Sequence, residues 1–201
     1  VTSMRASFFV AGPILARTGF AKVPLPGGCA IGTRPLDIHL NGFKAMGVDV
    51  SIEHGFVQMM TDHLKGNRIY LDFPSVGATE NIMMAATLAD GQTIIENVAQ
   101  EPEIVDLANF LNTAGADIQG AGGSTIIVNG KDELNGKDFQ IIPDRVEVGT
   151  LMLAAAVTNG DVFIEGAVAD HIEPLIRKLK EASVDVNVFS NGIRVTGTGK
   201  I

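Results

Sequence analysis

The chain has 201 residues, of which 46% are hydrophobic and 19% are charged, so it is long and apolar enough to bury a sizeable core. This composition excludes an intrinsically disordered chain. The 15 Lys and Arg residues against 23 Asp and Glu residues give a net charge of −8, which argues against nucleic acid as a partner because phosphate neutralisation supplies most of that affinity.

The sequence shows no segment suited to a membrane or to secretion. Its longest uninterrupted apolar stretch, residues 151–157, is far shorter than the ~20 residues that span a bilayer. No basic segment leads into an apolar one near the start, and the single cysteine cannot form an internal disulfide. We therefore expect a cytoplasmic protein without a membrane partner. Because the chain starts with Val1 rather than Met and stops abruptly at Ile201, we expect a piece of a longer protein.

One short phrase occurs three times and divides the chain into repeats. Its aspartates, Asp49, Asp117 and Asp185, are spaced 68 residues apart in both intervals, with similar neighbours on each side. An apolar residue stands six positions before each of them: Phe43, Leu111 and Leu179. Two equal intervals with matching neighbours indicate three copies of one structural unit.

The first half of each copy predicts a helix, followed in copies two and three by a strand. The helix comes from a mainly apolar segment at residues 6–16, 82–89 and 151–157, and a helix that is apolar all round must be buried on all sides. A short β-branched run then predicts a strand at residues 93–95 and 162–164.

The second half of each copy predicts an amphipathic helix and two strands. The helix is clearest in copy three, at Ile172, Leu175, Ile176 and Leu179. The strands of copy three fall at residues 184–188 and 192–195, joined at Ser190-Asn191-Gly192 by a hairpin turn signal.

Copy one carries a loop, residues 24–35, where the other copies have their first strand. Its three glycines and three prolines predict an exposed, mobile segment around Cys29. A lone cysteine is often an inert, buried small hydrophobe, but this loop offers no core to bury the thiol. Arg34 would bind an anionic substrate and favour the thiolate of Cys29. The loop therefore suggests a lid that brings a reactive thiol to an anion.

The sequence Pro-Gly-Gly-Cys-Ala-Ile-Gly-Thr-Arg-Pro in this loop resembles the active-site loop of the UDP-N-acetylglucosamine (UDP-GlcNAc) enolpyruvyl transferases. Four further motifs support the resemblance: Met-Arg-Ala-Ser at 4–7, Ser-Val-Gly-Ala-Thr at 75–79, Glu-Pro-Glu-Ile-Val-Asp at 101–106 and Pro-Asp-Arg at 143–145. The resemblance covers the whole chain, which is similar to the middle half of that family's enzyme.

The resemblance implies an α/β fold, an inside-out α/β barrel of repeated βα units in two domains. Residues 1–140 would hold two repeat units of the first domain, including the loop at 24–35. Residues 141–201 would hold one repeat unit of the second domain. A polar stretch around residues 130–143 is the candidate boundary between them.

The resemblance also implies an activity. The family transfers the enolpyruvyl group of phosphoenolpyruvate to the 3-hydroxyl of UDP-GlcNAc and releases phosphate, which is the first committed step of peptidoglycan synthesis. The reaction proceeds by addition and elimination without a metal or another cofactor, and fosfomycin inhibits it. The implied partners are the two substrates and the missing remainder of the same enzyme.

The resemblance implies roles for individual residues. Cys29 would be the general acid that protonates the methylene carbon of phosphoenolpyruvate, and also the thiol that forms a covalent adduct. Arg34 would hold the phosphate of phosphoenolpyruvate, and Arg5 would contact the nucleotide sugar. The UDP-GlcNAc pocket would be lined by Arg34, Pro35, Leu36, Asp37 and Ile38, and by Phe73, Pro74, Ser75 and Val76. Some family members carry Lys at the position of Phe73, a charge that this chain lacks.

The residues alone leave two interpretations of Ser75-Val76-Gly77. The segment shortly precedes the buried helix of copy two, so its backbone N–H groups would suit an anion such as a diphosphate. The alternative is an ordinary serine helix cap.

Other polar residues favour structural roles. Glu101 and Glu103 have two interpretations. One makes them a catalytic pair, and the other places them at the start of a helix, where acidic side chains interact favourably with the helix dipole. We rank the second interpretation first. The histidines show no metal-ligand spacing, so we expect no metal. Those at 39 and 171 are expected on helix faces, and those at 54 and 63 near turns.

Two other functions remain open. The shikimate-pathway enolpyruvyl transferase shares the repeat architecture but lacks the Pro-Gly-Gly-Cys loop. A non-catalytic binding module of the same repeats would have no need of Arg5, Cys29 and Arg34 together. Because only one unit of the second domain is present, we expect the third copy to expose apolar faces and the chain alone to be inactive.

Overall fold

The chain divides into two units, Val1–Gln140 and Ile141–Ile201, in a computed structural model that describes residues 5–25 and 36–199. Side chains are described from Phe8 onward within these ranges. The assignment of the units to two domains of a longer enzyme stays a prediction.

The first unit contains the first two repeats. In chain order its elements are a 3₁₀ helix (Arg5–Val10), α1 (Ala11–Thr18), β1 (Phe20–Pro24), α2 (Asp37–Ala45), β2 (Asp49–Glu53), β3 (Phe56–Met60), β4 (Arg68–Tyr70), α3 (Val76–Ala86), β5 (Gln92–Glu96), α4 (Pro102–Thr113), β6 (Asp117–Gln119) and β7 (Thr125–Asn129).

The second unit contains the third repeat. Its elements are α5 (Arg145–Val157), β8 (Asp161–Glu165), a 3₁₀ helix (Ala169–His171), α6 (Glu173–Glu181), β9 (Asp185–Phe189) and β10 (Gly192–Thr196). The predicted hairpin is confirmed, because Phe189 pairs with Gly192 across a two-residue turn.

The three repeats share one sheet topology, in the strand orders β1-β3-β2, β4-β5-β7-β6 and β8-β10-β9. In each copy the strand that comes last in the chain (β3, β7 or β10) lies between the other two and pairs antiparallel with both of them. The strand β4 adds a parallel neighbour to β5 in the second sheet. The repeat aspartates are the first residues of corresponding strands: Asp49 begins β2, Asp117 begins β6 and Asp185 begins β9. The predicted α/β class and the three repeats are therefore confirmed.

The prediction that copy one lacks a first strand is wrong. Residues Phe20–Pro24 form β1 directly before the loop and pair with β3 from Phe20 opposite Met60 to Pro24 opposite Phe56. The strand alternates between the core and the solvent, with Ala21 and Val23 buried. Two small inward residues without a β-branched run give a weak sequence signal for a strand.

The helices α3 and α5 begin earlier than the apolar runs at 82–89 and 151–157 predict. Each start is set by a polar capping residue that lies outside the run. The Ser75 hydroxyl accepts a hydrogen bond from the N–H of Ala78, and the Asp144 carboxylate accepts one from the N–H of Val146. Such caps satisfy N–H groups that have no partner within the helix.

The helix α3 forms the centre of the first unit, as the sequence predicts for copy two. Glycines let two neighbouring helices approach it closely. A Cβ on Gly12 of α1 would lie 2.3 Å from the carbonyl oxygen of Asn81, and one on Gly42 of α2 would lie 2.2 Å from Cδ1 of Ile82. Ile82 and Met83 have no exposed surface. The first unit therefore builds its core around a helix with helical neighbours.

The helix α5 of the second unit is buried on one face only. Val148, Met152, Ala155 and Ala156 face the core, whereas Val146, Leu153 and Val157 are 63%, 46% and 71% exposed. The prediction of burial on all sides is thus wrong for α5 in this chain. The expectation that the third copy exposes apolar surface is confirmed.

Candidate functional site

The first turns of α2 and α3 are the parts of the fold that the predicted substrate pocket uses. The helix α2 follows the buried Leu36, whose carbonyl accepts a hydrogen bond from the N–H of Leu40 over 3.0 Å. The exposed Asp37 accepts one from the N–H of Ile38 over 2.9 Å. These contacts fix residues 36–38 as the start of a helix.

The cap of α3 holds the second predicted segment in place. The Ser75 hydroxyl accepts from the N–H of Ala78 over 3.3 Å, and the Ser75 carbonyl accepts from the N–H of Thr79 over 2.9 Å. The Thr79 hydroxyl in turn accepts from the N–H of Ala99 over 3.1 Å. The start of α3 is thereby tied to the loop that follows β5.

His39 joins the two helix ends. Its imidazole is 5% exposed and packs edge-to-face on Phe8 and Phe9, with ring centroids 5.2 and 6.5 Å away. A Cβ on Gly77 would lie 3.4 Å from Cε1 of His39 and 2.9 Å from Cζ of Phe9. The distance to His39 is an ordinary van der Waals contact, whereas the Phe9 ring would have to move to admit a side chain, so Gly77 lets the first turn of α3 lie close to Phe9 and in contact with α2.

The structure brings two of the predicted pocket segments together around His39. These are Leu36, Asp37 and Ile38 at the start of α2, and Ser75 and Val76 at the start of α3. Phe73 is 63% exposed and, like the exposed Pro74, precedes the α3 cap. Cys29, Arg34, Pro35 and the side chain of Arg5 lie outside the described residues.

Ser75 forms the helix cap that the sequence allows as one of two interpretations, and this cap occupies the hydroxyl group of Ser75. The hydroxyl oxygen is engaged by the N–H of Ala78, as in an ordinary N-cap. The N–H groups of Val76 and Gly77 have no acceptor within the helix, because the first N–H groups of any helix lack one. Anion binding at this helix end stays a prediction, and the groups that would bind the anion are backbone N–H groups rather than the Ser75 hydroxyl.

An open cleft of about 410 Å³ lies beside the same helix end. It is lined by Pro74 and by residues 97–101 of the loop after β5. Asn97 adopts a φ of 55° there, and its amide donates to the carbonyl of Leu71 over 2.7 Å. The cleft is large enough for part of a small-molecule ligand.

Glu80 is a residue of this region that the sequence analysis missed. Burial raises the pKa of the half-buried Glu80 to about 7, and the negative charges of Glu103 and Glu101 add to the shift. Glu80 lies on α3, one turn after Ser75, while the other two acids stand at the start of α4. Only the folded chain shows this proximity, since the two segments are separated by β5.

The acids at the start of α4 occupy the places that the sequence predicts. Glu103 lies in the first turn, where its charge favours the helix dipole. Glu101 is the N-cap residue, and its side chain makes no capping hydrogen bond. Its carbonyl instead accepts from the N–H of Ile104 over 2.9 Å. Their position is confirmed, and a catalytic role remains untested.

The histidines are placed much as predicted: His39 lies on α2, on the face that is buried. His171 ends a 3₁₀ helix, and His54 adopts a φ of 50° in the turn after β2. Within residues 5–25 and 36–199, no group of three or more His, Cys, Asp or Glu side chains is arranged to hold a metal ion. Over the same ranges, no helix has the length and apolar character needed to cross a membrane.

Comparison with known proteins defines the class. The family model of EPSP synthase (3-phosphoshikimate 1-carboxyvinyltransferase) matches residues 1–200, and the chain belongs to this family. NikO, an enolpyruvyl transferase from Streptomyces tendae, superposes with a TM-score of 0.81 at 21% identity, covering 97% of this chain and 47% of NikO. EPSP synthase from Acinetobacter baumannii superposes with a TM-score of 0.68 at 23% identity, covering 98% of this chain and 47% of that synthase. These likenesses show the fold.

Curated relatives carry a more specific name. The chain is 58% identical over 197 residues to UDP-N-acetylglucosamine 1-carboxyvinyltransferase 1 of Caldanaerobacter subterraneus, covering 98% of this chain and 48% of the relative. The protein of the same name from Halalkalibacterium halodurans is 58% identical over 202 residues, covering 100% and 46%. The resemblance seen in the sequence is confirmed, and the chain spans about half the length of these relatives.

Proposed function

We propose that this chain forms about half of an enzyme that transfers the enolpyruvyl group of phosphoenolpyruvate to the 3-hydroxyl of UDP-GlcNAc and releases phosphate. This reaction would be the first committed step of peptidoglycan synthesis. The observation that carries the proposal is the 58% identity, over 98% of the chain, to a relative with that name. The proposed location is the cytoplasm, where a single cysteine stays a thiol.

The acceptor is the point on which the two enolpyruvyl transferase activities differ. Identities of 55% to 58% over nearly the whole chain support UDP-GlcNAc. The EPSP synthase of known structure is only 23% identical, a level that supports the fold and not the acceptor. The Pro-Gly-Gly-Cys loop at 26–29 favours the same choice.

The nucleotide sugar would bind where α2 and α3 begin. The N–H groups of Val76 and Gly77 would donate to the diphosphate, with the positive end of the α3 dipole beneath them. The Ser75 hydroxyl, already used by Ala78, would hold the helix end in shape rather than bind the ligand. Residues 36–38 would form the neighbouring wall of the nucleotide-sugar pocket. His39 would set the distance between this wall and the start of α3.

The chemical step would use residues of the loop at 24–35. The 3-hydroxyl oxygen of the sugar would bond to C2 of phosphoenolpyruvate and give up its proton to a base, while the Cys29 thiol gives its own proton to the C3 methylene carbon and becomes a thiolate. In the second half, the bond from C2 to the phosphate oxygen breaks and its electron pair leaves with the phosphate, which takes up the proton held by the base. C3 then returns a proton to the Cys29 thiolate, which forms the enol ether and restores the thiol. Arg34 would stabilise the phosphate charge in both halves.

Replacement of Val76 by proline tests the proposed diphosphate contact. Proline is well tolerated at the first position of a helix, and Ser75 already has the extended backbone that must precede it, with φ −82° and ψ 118°. Val76→Pro therefore removes one N–H group without breaking α3. Val76→Ala is the matched control, because it shortens the side chain and keeps the N–H.

The assay is phosphate release from phosphoenolpyruvate by the full-length enzyme, with UDP-GlcNAc or shikimate 3-phosphate as acceptor. We expect turnover with UDP-GlcNAc only, and a KM for UDP-GlcNAc raised about tenfold in Val76→Pro, as the loss of one charge-assisted hydrogen bond predicts. Val76→Ala should stay near the parent. Turnover with shikimate 3-phosphate alone would contradict the proposed function.

A further inference from the structure

Asn81 forms a buried polar cluster that joins α3 to three other elements of the first unit. Its Oδ1 accepts from the N–H of Gly12 on α1 over 2.7 Å, and its Nδ2 donates to the carbonyl of Phe8 over 3.0 Å. The same Nδ2 lies 3.3 Å from Nδ1 of His39 on α2. Asn81 has no exposed surface, so water cannot replace these contacts.

Two backbone groups fix which way the Asn81 amide points. The N–H of Gly12 can only donate, so the atom facing it must be the amide oxygen. The carbonyl of Phe8 can only accept, so the atom facing it must be the amide nitrogen. Turning the amide over would set donor against donor and acceptor against acceptor in the core, which is costly.

The fixed amide determines the state of His39. Because the NH₂ group of Asn81 faces Nδ1, that nitrogen must act as an acceptor and carry no proton. The neutral ring then carries its proton on Nε2. Turning the ring over about its Cβ–Cγ bond would place the Cδ2–H group against the amide N–H, so this contact fixes the ring orientation as well.

We propose that Asn81 is a positioning residue that holds His39 as the Nε2–H tautomer and thereby sets the spacing of the first turns of α2 and α3. The inference rests on the proposed function, because those two turns are where the nucleotide sugar would bind. Cε1 of the held ring faces the first turn of α3, 3.4 Å from the position that a Cβ on Gly77 would take. Turning the ring over would exchange Cε1 for Nε2 there and set a polar atom against this turn, which disfavours the close approach of residues 36–38 to residues 75–77.

The tautomer can be measured without any assay of activity. In the ¹⁵N-labelled chain, the two imidazole nitrogens of His39 are identified by the signals that disappear in His39→Gln. We expect the shift of a bare nitrogen at Nδ1 and of a protonated nitrogen at Nε2 in the unaltered chain. A proton on Nδ1 in that chain would overturn the proposal, whether or not any variant folds.

Asn81→Asp tests whether the amide is the cause. The carboxylate still accepts from the N–H of Gly12, but it presents an acceptor to His39, so the proton is expected to move to Nδ1. Asn112→Asp is the matched control, because the Asn112 amide also bridges backbone groups, donating to the Ile118 carbonyl over 2.9 Å and accepting from its N–H over 2.8 Å. The control should leave the His39 signals unchanged. A folded Asn81→Asp chain with the parent tautomer would contradict the inference.

A kinetic comparison in the full-length enzyme separates positioning from stability. We expect Asn81→Asp to raise the KM for UDP-GlcNAc about tenfold while kcat changes less than about twofold, and Asn112→Asp to change neither. A switched tautomer with an unchanged KM would overturn the positioning role. Failure of the proposed function would instead appear as absent turnover in the parent enzyme, and the tautomer measurement would still stand.

Discussion

Gly12 and Asn81 bring α1 and α3 into backbone contact. The N–H of Gly12 donates to Oδ1 of Asn81 over 2.7 Å, and a Cβ on Gly12 would lie 2.3 Å from the Asn81 carbonyl oxygen. A backbone atom cannot move aside as a side chain can. Gly12 is therefore required for the helix packing at the centre of the first unit.

Gly12→Ala is expected to lower the free energy of unfolding by about 2 kcal/mol or more, because the added methyl group forces α1 away from α3. The intrinsic preference of helices for alanine over glycine would by itself stabilise the chain by ~1 kcal/mol, so the sign of the change is informative. Urea unfolding measures it. Gly136→Ala, where an added Cβ meets nothing within 4 Å, is the control and should change stability by less than about 0.5 kcal/mol. A stabilised Gly12→Ala chain would contradict the close packing.

Glu80 predicts a pH dependence of stability. Its pKa is raised from an ordinary value of 4.5 to about 7 in the folded chain, first by burial and then by the charges of Glu103 and Glu101. Between these two values the folded chain holds more protons than the unfolded one, so stability falls as the pH rises from 4.5 to 7. Above pH 7 the ionised Glu80 costs about 1–2 kcal/mol after allowance for solvent screening.

Glu80→Gln should remove this penalty. We expect the variant to be about 1–2 kcal/mol more stable than the parent at pH 8 and equally stable near pH 4.5, in urea unfolding at both pH values. Glu133→Gln, at an exposed position, should show no such pH-dependent difference. A Glu80→Gln chain with the same stability advantage at both pH values would show that titration of Glu80 is not the cause.

The repeat architecture could be predicted from sequence because Asp49, Asp117 and Asp185 mark the same strand in each copy. The strand β1 could not, since Ala21 and Val23 bury too little side chain to stand out. The environment of Glu80 and the cluster around Asn81 were also beyond prediction. Their partners lie more than 20 residues away along the chain, and only the packing of α1, α2 and α4 on α3 brings them together.

The thiol of Cys29 is expected to react in the native chain, because the glycines and prolines around it predict an exposed loop and the sequence places Arg34 five residues further on. A thiol reagent should label the folded protein once, and Cys29→Ser should abolish the labelling. In the full-length enzyme, fosfomycin should label faster with UDP-GlcNAc bound, and Cys29→Asp should keep some turnover because a carboxylic acid can donate a proton. A native thiol that resists every reagent would favour a buried, inert cysteine.

The exposed face of α5 predicts self-association of the chain. Val157 is 71% exposed and shares this face with Val146 and Leu153, so Val157→Lys should reduce association without loss of folding. Analytical ultracentrifugation measures the first effect, and urea unfolding measures the second. Ser190→Lys, in an exposed turn of the same unit, adds the same charge elsewhere and should leave association unchanged. Equal reduction by both variants would indicate a general effect of charge.

The most direct test of the proposed enzyme is phosphate release from phosphoenolpyruvate and UDP-GlcNAc by two samples side by side: this 201-residue chain and the full-length protein. We expect turnover from the full-length protein and none from the chain alone, because the catalytic groups of an enzyme act jointly and this chain spans about half of its relatives. Turnover by the chain alone at the full-length rate would contradict the need for the remainder. No phosphate release by the full-length protein with UDP-GlcNAc would contradict the proposed function itself.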